Sequence, residues 1–376
     1  MSTLKSKVVR EINRAYKFRL YPNAAQRELI AKTFGCTRFI YNQMLADKIK
    51  HYNNTQEKLY NTPAMYKAQF EWLKEVDSLA LANSQLHLQR AYDNFFRDQT
   101  VGFPRFKSKR KTKKAYTTNY VNGNIYLAGS KIKLPKLGPV KLRVHRQIPP
   151  DQTIKSCTVS QSASGKYYVS ILTQYDVDIP AVVIDPQNVL GLDMDMQNLF
   201  TDNNGIRADY PRYYRQMQNQ LALHQRRLSR CVYQSNNYYK QRSKVSRLQE
   251  KIANQRRDFL HKLSCQIAND YDAVCIENLN MKAMSQCLKL GKSVMDNGWG
   301  LFSSFLDYKL KDRGKPLVKV DKWYPSSKTC SICGRINQSL TLGDRLWTCD
   351  GCKTCHDRDV NAAINIKTEG LRLILA

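Results

Sequence analysis

The chain has 376 residues, long enough for two or three domains, and 42% of them are hydrophobic. Its 61 Lys and Arg residues outnumber 31 Asp and Glu, a formal net charge of +30. Because so much like charge repels itself in a folded chain, the charge indicates a polyanionic partner, and nucleic acid is the first candidate. The weaker alternative is that this chain is a soluble basic protein without such a partner. The sequence contains no apolar run of about 18 residues, so no membrane span is predicted. The basic first residues are not followed by an apolar stretch long enough for a secretory signal, so we expect a cytosolic or nucleoid protein.

The first 100 residues predict a strand followed by helices. Residues 12–21 alternate like a strand, and residues 23 to 98 carry apolar side chains at three- and four-residue steps. Asn23 is a candidate N-cap for the first helix, and Pro63 is placed to begin another.

A basic segment, GFPRFKSKRKTKK, spans residues 102–114. In a chain of this charge it favours contacts with a nucleic-acid backbone over a solvated loop, and it carries no information about base sequence. The predicted nucleic-acid contacts are Phe103, Arg105, Phe106, Lys107, Lys109, Arg110, Lys111, Lys113 and Lys114.

Residues 115–175 change to short alternating segments separated by turn residues, typical of a small β-barrel or sandwich. Because a strand precedes the helices and more strands follow them, we expect the helices to be inserted into that β-domain.

A different unit begins near residue 185 and combines apolar strands with helices. The strand VLGLD ends on Asp193, DAVCIEN ends on Glu277, KPLVKVDKW is a third strand, and a final helix has Asp359 in its first turn. Between the first two strands, residues 212–262 form a helical region with thirteen Lys and Arg and only two acids, so its outer face is strongly positive.

Four cysteines near the C-terminus have zinc-ribbon spacing. Two Cys-x-x-Cys pairs, Cys330 with Cys333 and Cys349 with Cys352, are separated by residues 334–348. Four thiolates complete a tetrahedral Zn²⁺ site and leave no open position, so the zinc is expected to be structural. A redox pair is the weaker interpretation, and Cys355 and His356 could compete for the metal.

Asp193, Glu277 and Asp359 are candidates for a second metal site. Acids at the ends of separate strands converge at one edge of an α/β sheet, and clustered carboxylates suit Mg²⁺ or Mn²⁺ in phosphodiester hydrolysis. From the pattern alone each could be a turn, surface or capping residue, and Asp195, Asp202 and Asp357 are rivals.

Several motifs together resemble the TnpB family of transposon-encoded RNA-guided nucleases, which are related to compact type V CRISPR effectors. They are GLDMDMQNLFT, IENLNMKAM, PSSKTCSICG and CDGCKTCHDRDVNAAINI, joined by YKFRLYPNAAQRELI, TFGCTRFIYN and GFPRFKSKR near the N-terminus. Asp195, Lys353 and Cys355 depart from the usual family residues, and the tail is short, but none of these changes the three acids.

The resemblance implies a multidomain α+β and α/β architecture. Its parts are a wedge β-barrel (residues 1–22 and 115–184), a helical recognition lobe with the basic run (23–114), an RNase H-like RuvC domain (185–328 and 356–376) and a zinc ribbon (329–355). The resemblance also implies catalytic roles and magnesium binding for Asp193, Glu277 and Asp359, with zinc on the four cysteines.

The implied function is RNA-guided cutting of double-stranded DNA beside a short flanking motif, by a monomer on one structured guide RNA. The alternatives are a CRISPR effector with the same chemistry and a nuclease-inactive RNA-guided repressor. A DNA-joining transposase is not required by any feature of the sequence.

Overall fold

The computed structural model describes residues 8–98, 100–179, 182–195, 197–281, 296–341 and 343–376. They form two compact units: an N-terminal unit of residues 10–177 and a C-terminal unit that combines residues 8 and 9 with those from 178 onward.

The N-terminal unit combines one seven-stranded sheet with three helices. The strands are β1 (Val8–Tyr21), β2 (Ala115–Asn119), β3 (Tyr126–Ala128), β4 (Lys131–Leu134), β5 (Gly138–Arg143), β6 (Thr153–Gln161) and β7 (Tyr167–Ile179). The helices are α1 (Ala24–Thr55), α2 (Pro63–Gln69) and α3 (Ser78–Arg97). The strand order is β2-β6-β7-β1-β5-β4-β3, so β1 lies in the middle and the helices are inserted between strands of one sheet, as expected.

The prediction of a closed barrel is wrong. In the described part of the chain, β2 and β3 are the two edges of the sheet and no ladder joins them. The helices cover the apolar face that a closed barrel would have buried: Ile30 and Phe34 of α1 and Ala80 of α3 join the core formed by the strands. An open sheet thus buries its apolar face under helices.

The predicted helix starts of this unit are confirmed. Asn23 caps α1, because its side chain accepts a hydrogen bond from the Gln26 amide while the Gln26 side chain accepts one from the Asn23 amide. Helix α2 begins at Pro63, where a missing backbone N–H costs nothing.

The C-terminal unit is built on a five-stranded sheet of order β10-β9-β8-β11-β12. The strands are β8 (Val189–Met194), β9 (Phe200–Asp202), β10 (Arg207–Ala208), β11 (Ala273–Glu277) and β12 (Leu317–Val320). The helices are α4 (Tyr213–Ser229), α5 (Asn236–Asp270), α6 (Trp299–Lys311) and α7 (Arg358–Leu375). The strands β8, β11 and β12 are parallel; the apolar sequences of β8 and β11 are buried on both faces, whereas β12 is an edge strand with Lys319 exposed.

Helices cover both faces of this sheet. Leu260 and Ile267 of α5 and Phe302 of α6 belong to one core cluster, whereas Ile366 of α7 belongs to another on β8, β11 and β12. Glycines permit the close approach of α7: a Cβ on Gly191 of β8 would lie 2.2 Å from the Ala363 carbonyl oxygen.

A small two-stranded sheet precedes α7. Its strands are β13 (Leu346–Thr348) and β14 (Cys355–Asp357), and the second leads directly into the helix. The described helices include none that is both long and apolar enough to cross a bilayer.

Candidate functional site

Asp193 and Glu277 lie side by side where two parallel strands end. Leu192 of β8 pairs with Ile276 of β11, so the next position on each strand brings Asp193 beside Glu277. Helix α7 packs across both strands, and its first turn carries Asp359, which is 8% exposed. Three acids that are 84 and 82 residues apart in sequence therefore share one edge of the sheet, as predicted for an α/β site.

Electrostatic coupling shows how near these acids are to one another. Burial, followed by the charges of Glu277 and Asp359, raises the pKa of Asp193 well above its ordinary range, and Arg358 opposes the shift only in part. Like charges that raise a carboxylate pKa are relieved when a cation binds between them. The site thus has the electrostatic character of a cation site.

Glu277 is held by the loop that enters the ribbon. The Ser326 hydroxyl donates a hydrogen bond of 2.6 Å to Glu277 Oε1, and Ser326 itself is buried. The backbone of this loop is in turn fixed to α7, because the Asn365 amide donates to the Ser326 and Thr329 carbonyl oxygens. Asn361 strengthens the link by donating to Thr329 and accepting from the Ser331 amide.

Asp359 is held by a side chain from the ribbon itself. Nη1 of Arg345 lies 2.9 Å from Oδ2 and 3.1 Å from Oδ1 of Asp359. The Arg345 carbonyl also accepts from the Arg358 amide, so backbone and side chain both connect the ribbon to the first turn of α7.

The rival acids have local structural roles. Asp195 accepts from the Gln197 amide and the Asn198 side chain, and Asp202 accepts from two amides in the turn after β9. Asp357 caps α7 by accepting from the Asp359 and Val360 amides, and it pairs with Arg207. Although Asp357 is partly buried, these amides and Arg207 lower its pKa, which is typical of a structural cap.

The four ribbon cysteines form a cluster that fits a structural zinc ion. The sulfur atoms of Cys330, Cys333, Cys349 and Cys352 all lie within 4.8 Å of one another, and two of the pairs are 3.5 Å apart. Hydrogen bonds from the side chain and amide of Thr354 lower the pKa of Cys352 to about 6, which favours the thiolate that zinc requires.

His356 and Cys355, the two residues that could compete for the metal, lie in different surroundings. Nε2 of His356 lies 3.1 Å from Cys330 Sγ, and the ring is buried against Trp347, so His356 supports a cysteine from outside the tetrathiolate. Cys355 is exposed on β14 and is a free thiol.

Among the residues that the structure describes, these thiolates are the only cluster of three or more His, Cys, Asp or Glu side chains that could share one ion. The three acids are neighbours on one edge of the sheet but do not form such a cluster; Glu277 is hydrogen-bonded to Ser326 and Asp359 to Arg345.

The predicted nucleic-acid residues lie in the N-terminal unit and are not equivalent. Phe103, Arg105, Phe106 and the basic residues from Lys109 to Lys114 are exposed. Lys107 is half-buried with its ammonium 3.6 Å from the centre of the Tyr41 ring, and burial lowers its pKa to about 8.

Phe103 packs edge-on against Tyr92 and Phe95, which fixes the start of the basic run. Lys107, Lys109, Lys113 and Lys114 line a cavity of about 470 Å³ between α1, α3 and β2.

Four residues of the site were missed by sequence reasoning. Asn361 and Asn365 occur at i and i+4 on one face of α7, a spacing that could have indicated a shared role. Ser326 and Arg345 carry no comparable signal, because only the tertiary fold brings them to the acids.

Three segments of the chain match models of known protein families. Residues 171–288 match a family model described as "Probable transposase", and residues 299–366 match "Cas12f1-like, TNB domain". Residues 12–57 match a "Helix-turn-helix domain", although here they form most of β1 and one continuous helix.

Two relatives are similar over almost their whole length. A Streptomyces pristinaespiralis protein named "Putative RNA-guided DNA endonuclease" is 34% identical across 97% of this chain and 91% of its own. "Putative RNA-guided DNA endonuclease InsQ" of Escherichia coli is 33% identical across 95% and 92%. The chain belongs to the TnpB family, which confirms the resemblance carried by its motifs.

The fold is similar to that in a structure titled "Cryo-EM structure of the Cas12f1-sgRNA-target DNA complex". The TM-score is 0.59, with 15% identity over 95% of this chain and 99% of the other. A mixed α+β architecture of the predicted kind is therefore present, without the barrel closure.

Proposed function

We propose that this chain is the RNA-guided DNA endonuclease of a transposable element and hydrolyses phosphodiester bonds at Asp193, Glu277 and Asp359. The observation that carries the proposal is the convergence of these three acids from β8, β11 and α7; burial, followed by the charges of Glu277 and Asp359, raises the pKa of Asp193 there. The chain belongs to a family whose relatives are named RNA-guided DNA endonucleases, so the proposed substrate is DNA and the proposed guide is RNA.

The carboxylates suit Mg²⁺ because they offer hard oxygen ligands, and a bound cation would relieve the repulsion among their like charges. Bound magnesium would supply Lewis acidity, lowering the pKa of water and stabilising the leaving oxygen. Asp193 and Glu277 supply ligand oxygens from the rigid strand ends, and Ser326 orients Glu277. Arg345 holds Asp359 at the entrance of α7 and presents a cation to an incoming phosphate.

The zinc ribbon serves as a positioning element in this proposal. Its fold connects the loop at Ser326, the side chain of Arg345 and the N-terminus of α7, and these three contacts orient two of the acids. Zinc stabilises that arrangement and takes no part in the hydrolysis.

The partners that follow are a structured guide RNA and double-stranded target DNA with a flanking motif, bound by one copy of the chain. We assign residues 1–22 and 115–184 to the wedge, 23–114 to the recognition lobe, 185–328 and 356–376 to the nuclease domain, and 329–355 to the ribbon. We assign phosphate contacts to the exposed residues between Arg105 and Lys114. The working location is the cytoplasm of a prokaryotic cell, where both partners occur.

The test begins with the RNA that copurifies when the protein is expressed beside its native flanking DNA. One abundant species with a fixed fold and a variable end would supply the guide, and its origin separates a transposon end from a CRISPR array. A DNA duplex matching that end should then be cut by the wild type with magnesium, and the Asp193→Ala variant should bind the RNA without cutting. Random cellular RNA and no guided cutting would overturn the proposal.

A further inference from the structure

Thr201 of β9 is the cross-strand partner of Asp193. Strands β8 and β9 are antiparallel, and their register places Thr201 directly opposite Asp193. Side chains of directly opposite residues project from the same face of a sheet, with Cβ atoms about 4.5–5.5 Å apart. That separation allows one hydrogen bond of about 2.7 Å between the threonine hydroxyl and the carboxylate.

The face that these two residues share is the one covered by α7. Side chains alternate between the two faces along each strand, and the neighbours Leu192 and Phe200 belong to the core under α5 and α6. Gly191, two residues before Asp193, faces α7 instead. Thr201 therefore projects toward the helix that carries the third acid, and this helix contacts β9 as well as β8.

The hydroxyl of Thr201 is buried and unpartnered. The residue is 0% exposed, and within the described part of the chain no group forms a hydrogen bond with its Oγ1. Polar groups in protein interiors almost always have a partner, so a hydroxyl without one calls for an explanation. Branching at Cβ suits a strand, but valine would supply it without burying a hydroxyl. The hydroxyl therefore points to a contact that forms in another state of the site.

The end of β9 gives Thr201 a rigid support. Asn203 fastens this strand to β8, because its side-chain oxygen accepts from the Gly191 amide at 2.8 Å and its own amide donates to the Gly191 carbonyl oxygen at 3.2 Å. The Asp202 carboxylate accepts from two amides of the following turn. With the backbone fixed on both strands, rotation of a side chain is enough to bring the hydroxyl to Asp193.

We infer that Thr201 is a positioning residue of the cation site, whose hydroxyl donates a hydrogen bond to the Asp193 carboxylate when magnesium is bound. An ionised carboxylate offers only acceptors, and the threonine hydroxyl supplies the donor. Carboxylates that ligate metals are themselves held by hydrogen bonds, which fix the direction of the ligating oxygen. The inference rests on the proposed function, because it takes Asp193 as a magnesium ligand.

Thr201 completes a set in which each acid has its own holding group. Ser326 donates to Glu277, and Arg345 pairs with Asp359. Thr201 has the corresponding place beside the remaining acid. Because a hydroxyl is neutral, it orients a carboxylate without cancelling the negative charge that attracts the cation. Hydroxyls on two of the acids thus leave the site attractive to magnesium.

The test measures magnesium affinity separately from cutting, on the full chain with zinc in the ribbon. Thr201→Val removes the hydroxyl and keeps the branched shape, whereas Thr201→Ser keeps the hydroxyl. The control is Thr118→Val: Thr118 of β2 is also 0% exposed, and its Oγ1 also has no partner among the residues that the structure describes, but it lies opposite Cys157.

The readout is the increase in the free energy of unfolding in urea as MgCl₂ is added, which yields an apparent dissociation constant for the ion. Asp193→Ala defines the part of this response that depends on the acids. Single-turnover cutting of a guided target is then measured over the same magnesium series.

Thr201→Val should bind magnesium about 10- to 100-fold more weakly than the wild type, and Thr201→Ser should restore the affinity to near the wild-type value. Without magnesium, Thr201→Val should be at least as stable as the wild type, because it no longer buries an unpaired hydroxyl. Its cutting should reach half the maximal rate at a correspondingly higher magnesium concentration. Thr118→Val should match the wild type in magnesium affinity and in cutting.

Wild-type magnesium affinity in Thr201→Val would overturn the inference, and so would equal losses in Thr201→Val and Thr201→Ser, since that pattern reports packing. A wild type whose magnesium binding depends on Asp193 and Thr201 as expected, but which never cuts a guided target, would refute the proposed function and leave the role of Thr201 intact. Guided cutting with the same magnesium dependence in the wild type and Thr201→Val would do the reverse. A wild type with no Asp193-dependent magnesium response in unfolding or in cutting would refute both.

Discussion

Arg345 of the zinc ribbon forms an ion pair with Asp359 of the last helix, with Nη1 within 3.1 Å of both carboxylate oxygens. Fourteen residues separate the two positions, and the cysteines of the second knuckle lie between them. On the proposed function, this contact gives the cysteine cluster a positioning role at the acids. A zinc ion on the four cysteines would fix the short strand β13, next to which Arg345 reaches back to Asp359.

Arg345→Ala should reduce guided cutting on the order of 10- to 100-fold while leaving zinc content and RNA binding unchanged. The physical reason is misplacement: Asp359 loses the group that orients it, and small shifts at a reacting centre cost about that much. The measurement is single-turnover cleavage with saturating magnesium.

Arg335→Ala is the matched control for this prediction, because Arg335 is an exposed ribbon arginine whose side chain lies beside Gly351. It should cut like the wild type. Arg345→Lys keeps the charge but loses the planar fork, so partial activity is expected. Wild-type rates in Arg345→Ala would show that the ion pair has no role in the reaction.

Cys352→Ser should release zinc and lower cutting to a few per cent of the wild-type rate. Three remaining thiolates bind zinc more weakly, and the ribbon that holds Glu277 through Ser326 and Asp359 through Arg345 loses its core. Zinc content by elemental analysis and cleavage of the guided target are measured on the same preparation.

Cys355→Ser is the control within the same segment, since Cys355 is exposed and lies outside the tetrathiolate. It should keep one zinc per chain and full activity. If the zinc-free Cys352→Ser protein cut normally, the ribbon would have no positioning role.

Much of the site could be predicted from sequence because its residues carry local signals. Asp193 and Glu277 each end an apolar strand, and two Cys-x-x-Cys pairs separated by residues 334–348 have the spacing typical of a zinc ribbon. These signals follow from short-range chemistry. Apolar runs likewise marked β8, β11 and β12 and the helical region between the first two, whereas α6 was not predicted.

The parts that were not predictable depend on contacts distant in sequence. Barrel closure would require β2 and β3 to pair, whereas the apolar face of the open sheet packs against Ile30 and Phe34 of a helix that precedes both strands. In the sequence Arg345 cannot be distinguished from a surface arginine, because its ion pair with Asp359 forms only when the ribbon packs against α7. Ser326 lies in the PSSKTCSICG motif, whose recognisable feature is its cysteine pair, and its hydrogen bond to Glu277, 49 residues away, carries no sequence signal.

Gly191→Ala should destabilise the protein by about 1–3 kcal/mol and impair cutting more than RNA binding. A Cβ there would lie 2.2 Å from the Ala363 carbonyl oxygen, so α7 would have to move away from β8 and carry Asp359 with it. Gly300→Ala is the control, because its nearest neighbour is Met281 Cγ at 3.6 Å. Equal unfolding midpoints for the two variants in urea would contradict the packing argument.

The pH dependence of stability should reveal the raised pKa of Asp193 in the magnesium-free protein. Burial and the charges of Glu277 and Asp359 raise this pKa, so the folded chain retains a proton that the unfolded chain releases above about pH 4. The corresponding stability is present below the unfolded pKa and is lost as pH rises through the folded pKa. The loss amounts to about 1.4 kcal/mol per pH unit within that window.

Asp193→Asn lacks the titrating proton, so its free energy of unfolding should change less than that of the wild type as pH rises above about 4, the ordinary carboxyl pKa. The measurement is urea unfolding after dialysis into magnesium-free buffer without a chelator, so that the zinc ribbon stays intact. Added magnesium should reduce this pH-dependent loss of stability in the wild type, because a cation bound between the acids favours their ionised form. Parallel stability curves for the two proteins would show that Asp193 titrates normally, and the electrostatic argument for a cation site would then fail.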